Sequence, residues 1–182
     1  MNKIYTVRLI LRPFRDGDAE AIYQNWASDC RVSKYCRRWH PHKNIKETEA
    51  FLKMCVDAEY SWAITLKGSD EPIGSINLVG TNSDGVPEIG YVLSYEYWGM
   101  GIMTEAVKAV IDELFLLGFD KIGACHCSDN PASGKVMEKC GMKYVRNCMT
   151  QKALRHPDRR AFISDHRIFS RNATVLTSYL RS

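Results

Sequence analysis

Apolar positions along this chain change period several times, and each change marks an element. "TVRLILRPF" (6–14) reads as a strand. Ala19, Ile22, Tyr23 and Trp26 then recur at helical spacing, with Asp16 or Asp18 placed to cap a helix running to about Ser28. Asn44 with Glu47 forms a capping-box-like start for a second helix, whose apolar stripe is Phe51, Leu52, Cys55 and Val56. Three strand-like runs follow: "YSWAITL" (60–66), "PIGSINLV" (72–79) and "PEIGYVLS" (87–94). The turns between them carry "KGSDE" and "GTNSDG", so the simple reading is a β-meander.

From Met103 the period becomes helical again. Met103, Ala106, Val107, Val110, Ile111 and Leu114 share one stripe, Lys108 and Asp112 lie off it, and Gly118 can stop the helix. "KIGACHC" (121–127) is a buried-looking strand. In "DNPASGKVMEKCG" Asn130 is placed as an N-cap, Pro131 at the first helical position and Gly141 as the stop. "MKYVRNCM" and "RAFISDHRIFS" predict two more strands around a basic loop. The order βαα, βββ, αβα, ββ predicts an α/β sandwich on a mixed sheet, with helices on both faces.

Length and composition bound what such a fold can be. A chain of 182 residues, 45% of them hydrophobic, predicts a single domain over 1–182 with a sizeable core. Arg8 and Arg12 interrupt the N-terminal apolar run, and no segment approaches the ~20 apolar residues of a membrane span. A cytoplasmic protein without a membrane partner is expected. The net charge of +4, from 25 basic and 21 acidic side chains, gives no reason to expect direct nucleic-acid binding. Seven cysteines without a C-x-x-C read as reduced thiols. Cys125-His126-Cys127 tempts a metal reading, but on a strand the cysteines and the histidine point opposite ways, and no second ligand pair stands nearby. No metal is expected.

The stretch that carries chemistry is "YWGMGIMTEA" (97–106), where Gly99 and Gly101 precede a helix start. Backbone N–H groups of Gly99, Met100, Gly101, Ile102, Met103 and Thr104 can converge there on an anion, favoured by the helix dipole. No Lys follows the glycines as a Walker A loop requires, and Thr104 stands where a dinucleotide fingerprint needs its third glycine. A tight turn that binds nothing is the alternative.

At this point the sequence resembles the GNAT superfamily of N-acetyltransferases, most closely its ribosomal-protein N-terminal (RimJ/RimL-like) branch. The resemblance spans roughly residues 5 to 170 through "LRPFRDGDAEAIY", "EIGYVLSYEYWGMGIMTEAV" and "SDNPASGKVMEKCGMKYV". It implies a mixed, mostly antiparallel sheet of about seven strands whose fourth and fifth strands splay apart. It further implies that the 99–104 amides hold the pyrophosphate of acetyl-CoA, with the pantetheine arm between the splayed strands. One position departs from the pattern: Glu96 stands where many members carry Gln or Arg.

The expected partners are acetyl-CoA and an amine acceptor, in a monomer or a homodimer. An amine attacks a thioester only as the free base, and an α-amino group, with a reference pKa of ~8, is far more often neutral at pH 7 than a lysine. A base must stand near it, directly or through one water. Glu88, opening the strand that leads to the glycine loop, is the first candidate; a solvated or structurally paired edge carboxylate is the alternative. His126 alternates with Ile122 and Ala124 and looks more like a packed histidine. The resemblance implies an oxyanion donor near Val92 or Leu93, a contact from Asn130 to the pantetheine arm, and Ser133 near the sulfur. Other members use a tyrosine acid from the helix after the fifth strand; Cys140 has no such hydroxyl and Tyr144 lies beyond the helix.

For the acceptor, "CRVSKYCRRWHPHK" (30–43) and "QKALRHPDRR" (151–160) are basic, and the resemblance implies that both regions flank the acceptor cleft. Arg37, Arg38 and Trp39 are the acceptor-binding candidates. Facing the cleft, such segments favour acceptors carrying an acid over polyamines; the alternative is a solvated basic face. Three functions remain open: acetylation of a protein or peptide N-terminus, acetylation of a small-molecule amine, and coenzyme A binding without turnover.

Overall fold

The computed structural model describes residues 1–36, 40–149 and 163–170. They form one eight-stranded sheet in the order β1-β2-β3-β4-β5-β6-β8-β7. The strands are β1 (Ile4–Tyr5), β2 (Leu9–Pro13), β3 (Ser61–Leu66), β4 (Pro72–Thr81), β5 (Pro87–Leu93), β6 (Lys121–Cys127), β7 (Lys143–Met149) and β8 (Ile163–Ser170). Every neighbouring pair is antiparallel except β5 with β6. The expected strand at 6–14 appears as β2, and the two-residue β1 that pairs with it brings the sheet to eight.

The helices are α1 (Ala19–Ile22), α2 (Cys30–Ser33), α3 (Ile45–Asp57), α4 (Ile102–Leu116) and α5 (Pro131–Lys139). The α4 stripe is buried as its period requires, from Met103 to Leu114, and meets Leu9, Leu11, Trp62, Ile64, Ile89 and Ile122 of the sheet. On the other face Ile22, Trp26, Val32, Leu52 and Cys55 close over Phe14 and Ala63. Alternation along β3 feeds both cores, Trp62 and Ile64 to one and Ala63 to the other.

Two helical expectations needed correction. The helix predicted from 16 to 28 is a composite: a 3-10 turn at Asp16–Asp18, α1, then a π turn at Tyr23–Ala27, closed by Ser28 N–H donating to Tyr23 O at 3.2 Å. Asp18 stands at the N-cap of α1 but does not bond its first turn; its side chain acts one turn earlier, in a capping box with Arg15. Its carboxylate accepts two 2.8 Å bonds from the Arg12 guanidinium and one from Arg15 N–H. Arg12 is 1% exposed and also bonds Asp70, so its charge is buried but matched. Removing one partner of such a pair costs about 3–5 kcal/mol, which makes Arg12 the pin between β2 and the first helical turn. In α3, Asn44 accepts from Glu47 N–H as expected, but Glu47 reaches back to Lys43 N–H rather than to the cap. Val56, placed on the α3 stripe by its spacing, is 42% exposed.

Candidate active site

Chain direction creates the site. β5 and β6 run parallel and pair only at Glu88↔Gly123 and Ile89↔Ala124, while β5 stays paired with β4 as far as Leu93. Beyond Ile89 the two strands diverge and a fork opens. Ser94 N–H donates to Ile73 O at 2.8 Å. Alternation along an antiparallel ladder therefore turns Val92 N–H toward β4 as well, and leaves the N–H groups of Tyr91 and Leu93 on the fork side. Of the two residues expected to hold an oxyanion donor, Leu93 presents its amide to the fork. Val92 does not, and its side chain packs with the α1–α3 core.

The glycine loop lies at the end of β5. Gly99 has φ 77° and Gly101 φ 74°, both left-handed, and Gly101 is the N-cap of α4. These values are routine for glycine and strained for any residue with a Cβ, so the glycines shape the turn as well as clearing space around it. Arg8, just before β2, braces the loop: its guanidinium donates to Met100 O at 2.9 Å and to Glu105 at 2.7 Å. Glu105 would otherwise set a bare negative charge in the first turn of α4. Burial alone would raise its pKa, but bonds from Thr6 Oγ1, Arg8 N–H and the Arg8 guanidinium hold it below the usual carboxylate range. Its charge is balanced by Arg8, so the helix start still favours an anion. Nothing in the loop's own sequence announces Arg8, which lies 92 residues from Met100.

On the face toward α5, Asn130 Oδ1 caps the helix by accepting from Ser133 N–H at 3.2 Å, with Pro131 next in line. Ser133 Oγ lies 2.8 Å from the Tyr91 hydroxyl, which also donates to Ser133 O at 3.0 Å. Burial pushes the Tyr91 phenol well above its ordinary range and keeps it protonated. A tyrosine hydroxyl thus does stand beside Ser133, supplied by β5 rather than by the helix, from 42 residues away. Cys140, whose Sγ approaches Thr104 O at 3.6 Å, has its thiol pushed up to about 11 by burial and is inert.

On the opposite face Glu88 is 8% exposed. Its side chain crosses β6 above Gly123 and meets His166 of β8, with Oε1 and Nδ1 3.0 Å apart. Cys125 completes the group, and the three ligand-type atoms lie within 4.8 Å of one another. Three donors match the count of an open zinc site, but Glu88 and His166 are already hydrogen-bonded and need no ion to satisfy them. His126 turns the other way. It is 7% exposed, lies against Gly134 of α5, and approaches Cys127 O with Nδ1 at 2.8 Å.

The structure thus gathers Glu88, Leu93 and the 99–104 loop around one fork, with Asn130 and Ser133 on its α5 side. The acceptor candidates Arg37, Arg38 and Trp39 lie outside the described residues, as does the basic segment 151–160. Of the first basic segment, Arg31 pairs with Asp29 at 2.6 Å and stacks 4.1 Å over the Tyr95 ring, so its charge is already engaged.

A forked sheet with an anion-favouring helix start at one end and a buried carboxylate at its root can take an extended anionic ligand, and comparison with known proteins gives the class: it is an N-acetyltransferase. Residues 8–143 match the acetyltransferase (GNAT) domain, and the chain belongs to that family. It is 32% identical over 145 residues to the uncharacterized N-acetyltransferase p20 of Bacillus licheniformis, covering 75% of this chain and 80% of that protein. A GNAT-family acetyltransferase from Bacillus anthracis superposes with a TM-score of 0.80 at 25% identity, over 93% of this chain and 98% of that one. RimL, a ribosomal L7/L12 α-N-protein acetyltransferase solved with coenzyme A, shares the fold with a TM-score of 0.77 at 17% identity, over 93% and 98%. No helix among the described residues is long and apolar enough to cross a membrane.

Proposed function

We propose that this enzyme moves the acetyl group of acetyl-CoA to the α-amino group of a protein or peptide. The observation that carries the reading is the fork itself, with the glycine-loop amides at its β5 end and Glu88 at its root. Acetyl-CoA supplies an activated thioester; the chain supplies position and proton traffic. The amides of 99–104 hold the pyrophosphate, Leu93 N–H faces the oxygen that gains charge as the amine adds, and Asn130 contacts the pantetheine arm. Glu88 and Ser133 lie on opposite faces of the sheet. The amine therefore loses its proton on the α1–α3 side, and the departing thiolate takes one on the α5 side. An N-terminal acceptor is supported by the likeness to RimL and by the partial neutrality of α-amines near pH 7.

Thiol release from acetyl-CoA tests this against a panel of Ala-, Ser- and Met-initial peptides, free amino acids, spermidine and an aminoglycoside. Peptides are expected to give the highest kcat/KM. A small amine that outperforms every peptide moves the enzyme to the small-molecule class, and release that no amine stimulates leaves a coenzyme-binding domain.

Ser133→Ala is expected to lower kcat by about 10²-fold, the low end for a general acid, since a thiol with a reference pKa of ~8.5 is a tolerable leaving group. Acetyl-CoA affinity should change little, because the bond concerned strengthens only as the sulfur gains charge. Equal losses in kcat and affinity would make Ser133 a binding residue only.

A further inference from the structure

The Glu88 carboxylate does not end at the fork. It spans β6 to reach a side chain two strands away, a distance of roughly 10 Å between backbones. The crossing exists because β6 carries Gly123 at the position paired with Glu88. A Cβ there would stand 3.1 Å from Glu88 Cγ, tighter than ordinary contact. The imidazole at the far end is held by one nitrogen: His166 Nδ1 lies 3.0 Å from Glu88 Oε1, while Nε2 has no hydrogen-bond partner among the described residues. The His166 side chain is 15% exposed, so Nε2 is not sealed in.

We propose that His166 and Glu88 form one proton-accepting dyad, in which the proton released by the amine comes to rest on His166 Nε2. The inference deepens the proposed function and rests on its assignment of Glu88. A carboxylate that accepts from Nδ1–H fixes the tautomer and leaves the Nε2 lone pair bare. As the amine nitrogen bonds to the acetyl carbon and the C–S bond breaks, Nε2 takes the amine's proton, while Ser133 gives one to the sulfur and recovers it from water. Glu88 then balances the imidazolium and water carries its proton away. Imidazole is the side chain whose ordinary titration lies nearest neutrality, which is where a general base is most effective.

The surroundings do not oppose a positive charge on His166. From β6 it faces Cys125, and from β5 it faces Glu88, whose Oε1 also lies 3.5 Å from Asn82 Nδ2. Its β7 neighbour is Arg146, whose guanidinium is committed to Asp84 at 2.9 Å and to Ser83 at 2.6 Å. Asp165 and Arg167, beside it on β8, turn to the opposite face with His126 and Ala124.

Two measurements decide the matter. The first is kcat/KM against pH, with the best amine of the panel, for the wild type, His166→Gln, Glu88→Gln and the double variant. Calorimetry with acetyl-CoA confirms that each variant is folded. His166→Gln is expected to lose about 10²-fold or more together with the acidic limb, acetyl-CoA affinity staying within about twofold. The double variant should be no worse than the poorer single one, as for residues acting as a unit. A His166→Gln profile of wild-type shape overturns the dyad and leaves Glu88 as sole base, whereas a wild-type profile in Glu88→Gln removes the base assignment itself. The second is the imidazole nitrogen spectrum of the unmutated protein, which needs neither acceptor nor folded variant. Protonated Nδ1 and bare Nε2 near neutral pH are expected; the reverse tautomer overturns the proposal.

Discussion

Glu88→Gln is expected to lower kcat/KM by about 10²- to 10⁴-fold, the span of general-base contributions, with acetyl-CoA affinity unchanged. The substitution keeps the shape of the side chain and its path over Gly123, so little else should move. What it removes is the ability to hold or balance a proton. The sign of the pH effect follows. A base works only when deprotonated, so wild-type kcat/KM falls as acid protonates it, in addition to the fall caused by protonating the acceptor amine. In the variant His166 alone remains to take the proton, with no carboxylate to balance its charge, so that dependence should move to lower pH. Its deficit is therefore largest where the wild-type base is fully deprotonated, and narrows toward acid. A uniform loss at every pH, with the acidic limb intact, would mean that Glu88 positions the acceptor without touching its proton.

Gly101→Val should weaken acetyl-CoA binding by about 10²-fold or more while the protein stays folded. Space is not the obstacle, since the nearest atom to an added Cβ is Arg8 Nη2 at 3.6 Å, an ordinary contact. The obstacle is φ 74°, where a β-branched residue carries strain of order 1–3 kcal/mol. The loop escapes that strain by rotating, and rotation would turn the converging amides away from the phosphates they are proposed to hold. The helix behind it survives because Ile102, Met103, Ala106, Val107, Val110, Ile111 and Leu114 are all buried. Calorimetry against acetyl-CoA, paired with circular dichroism, checks both halves. Wild-type affinity in a folded variant would remove the anion-binding role of the loop.

Periodicity is a good guide here wherever one face of an element alone decides its burial. The α4 stripe, the bounds of β6 and the Asn130–Pro131 start of α5 were legible because local spacing and capping chemistry suffice for each. The first helix was not. Its geometry answers to Arg12, which holds the Asp18 carboxylate away from the first turn of α1, and to the Ser28 bond that widens the next turn. The candidate site divides along the same line. The glycine loop, Asn130 and Ser133 are local patterns. His166 and Tyr91 become partners of Glu88 and Ser133 only once residues 78 and 42 positions apart in the chain are brought together. Gly123 gave no signal at all, because what matters there is a missing Cβ beneath another strand's side chain.

The fork has one more consequence, for the protein as a material rather than as a catalyst. Tyr91 and Leu93 turn their N–H groups toward a strand that has moved away, so the sheet carries an open edge within its own interior. Edges of that kind recruit other chains. A pantetheine arm lying along the fork would act as a surrogate strand, closing the seam between the β1–β5 half and the β6–β8 half. Ligand at a hundredfold excess over its Kd stabilises a native state by about 2.7 kcal/mol. On the proposed binding mode, the supply of coenzyme would then govern the shelf life and solubility of the enzyme as well as its turnover, and preparations stripped of coenzyme should be the first to aggregate.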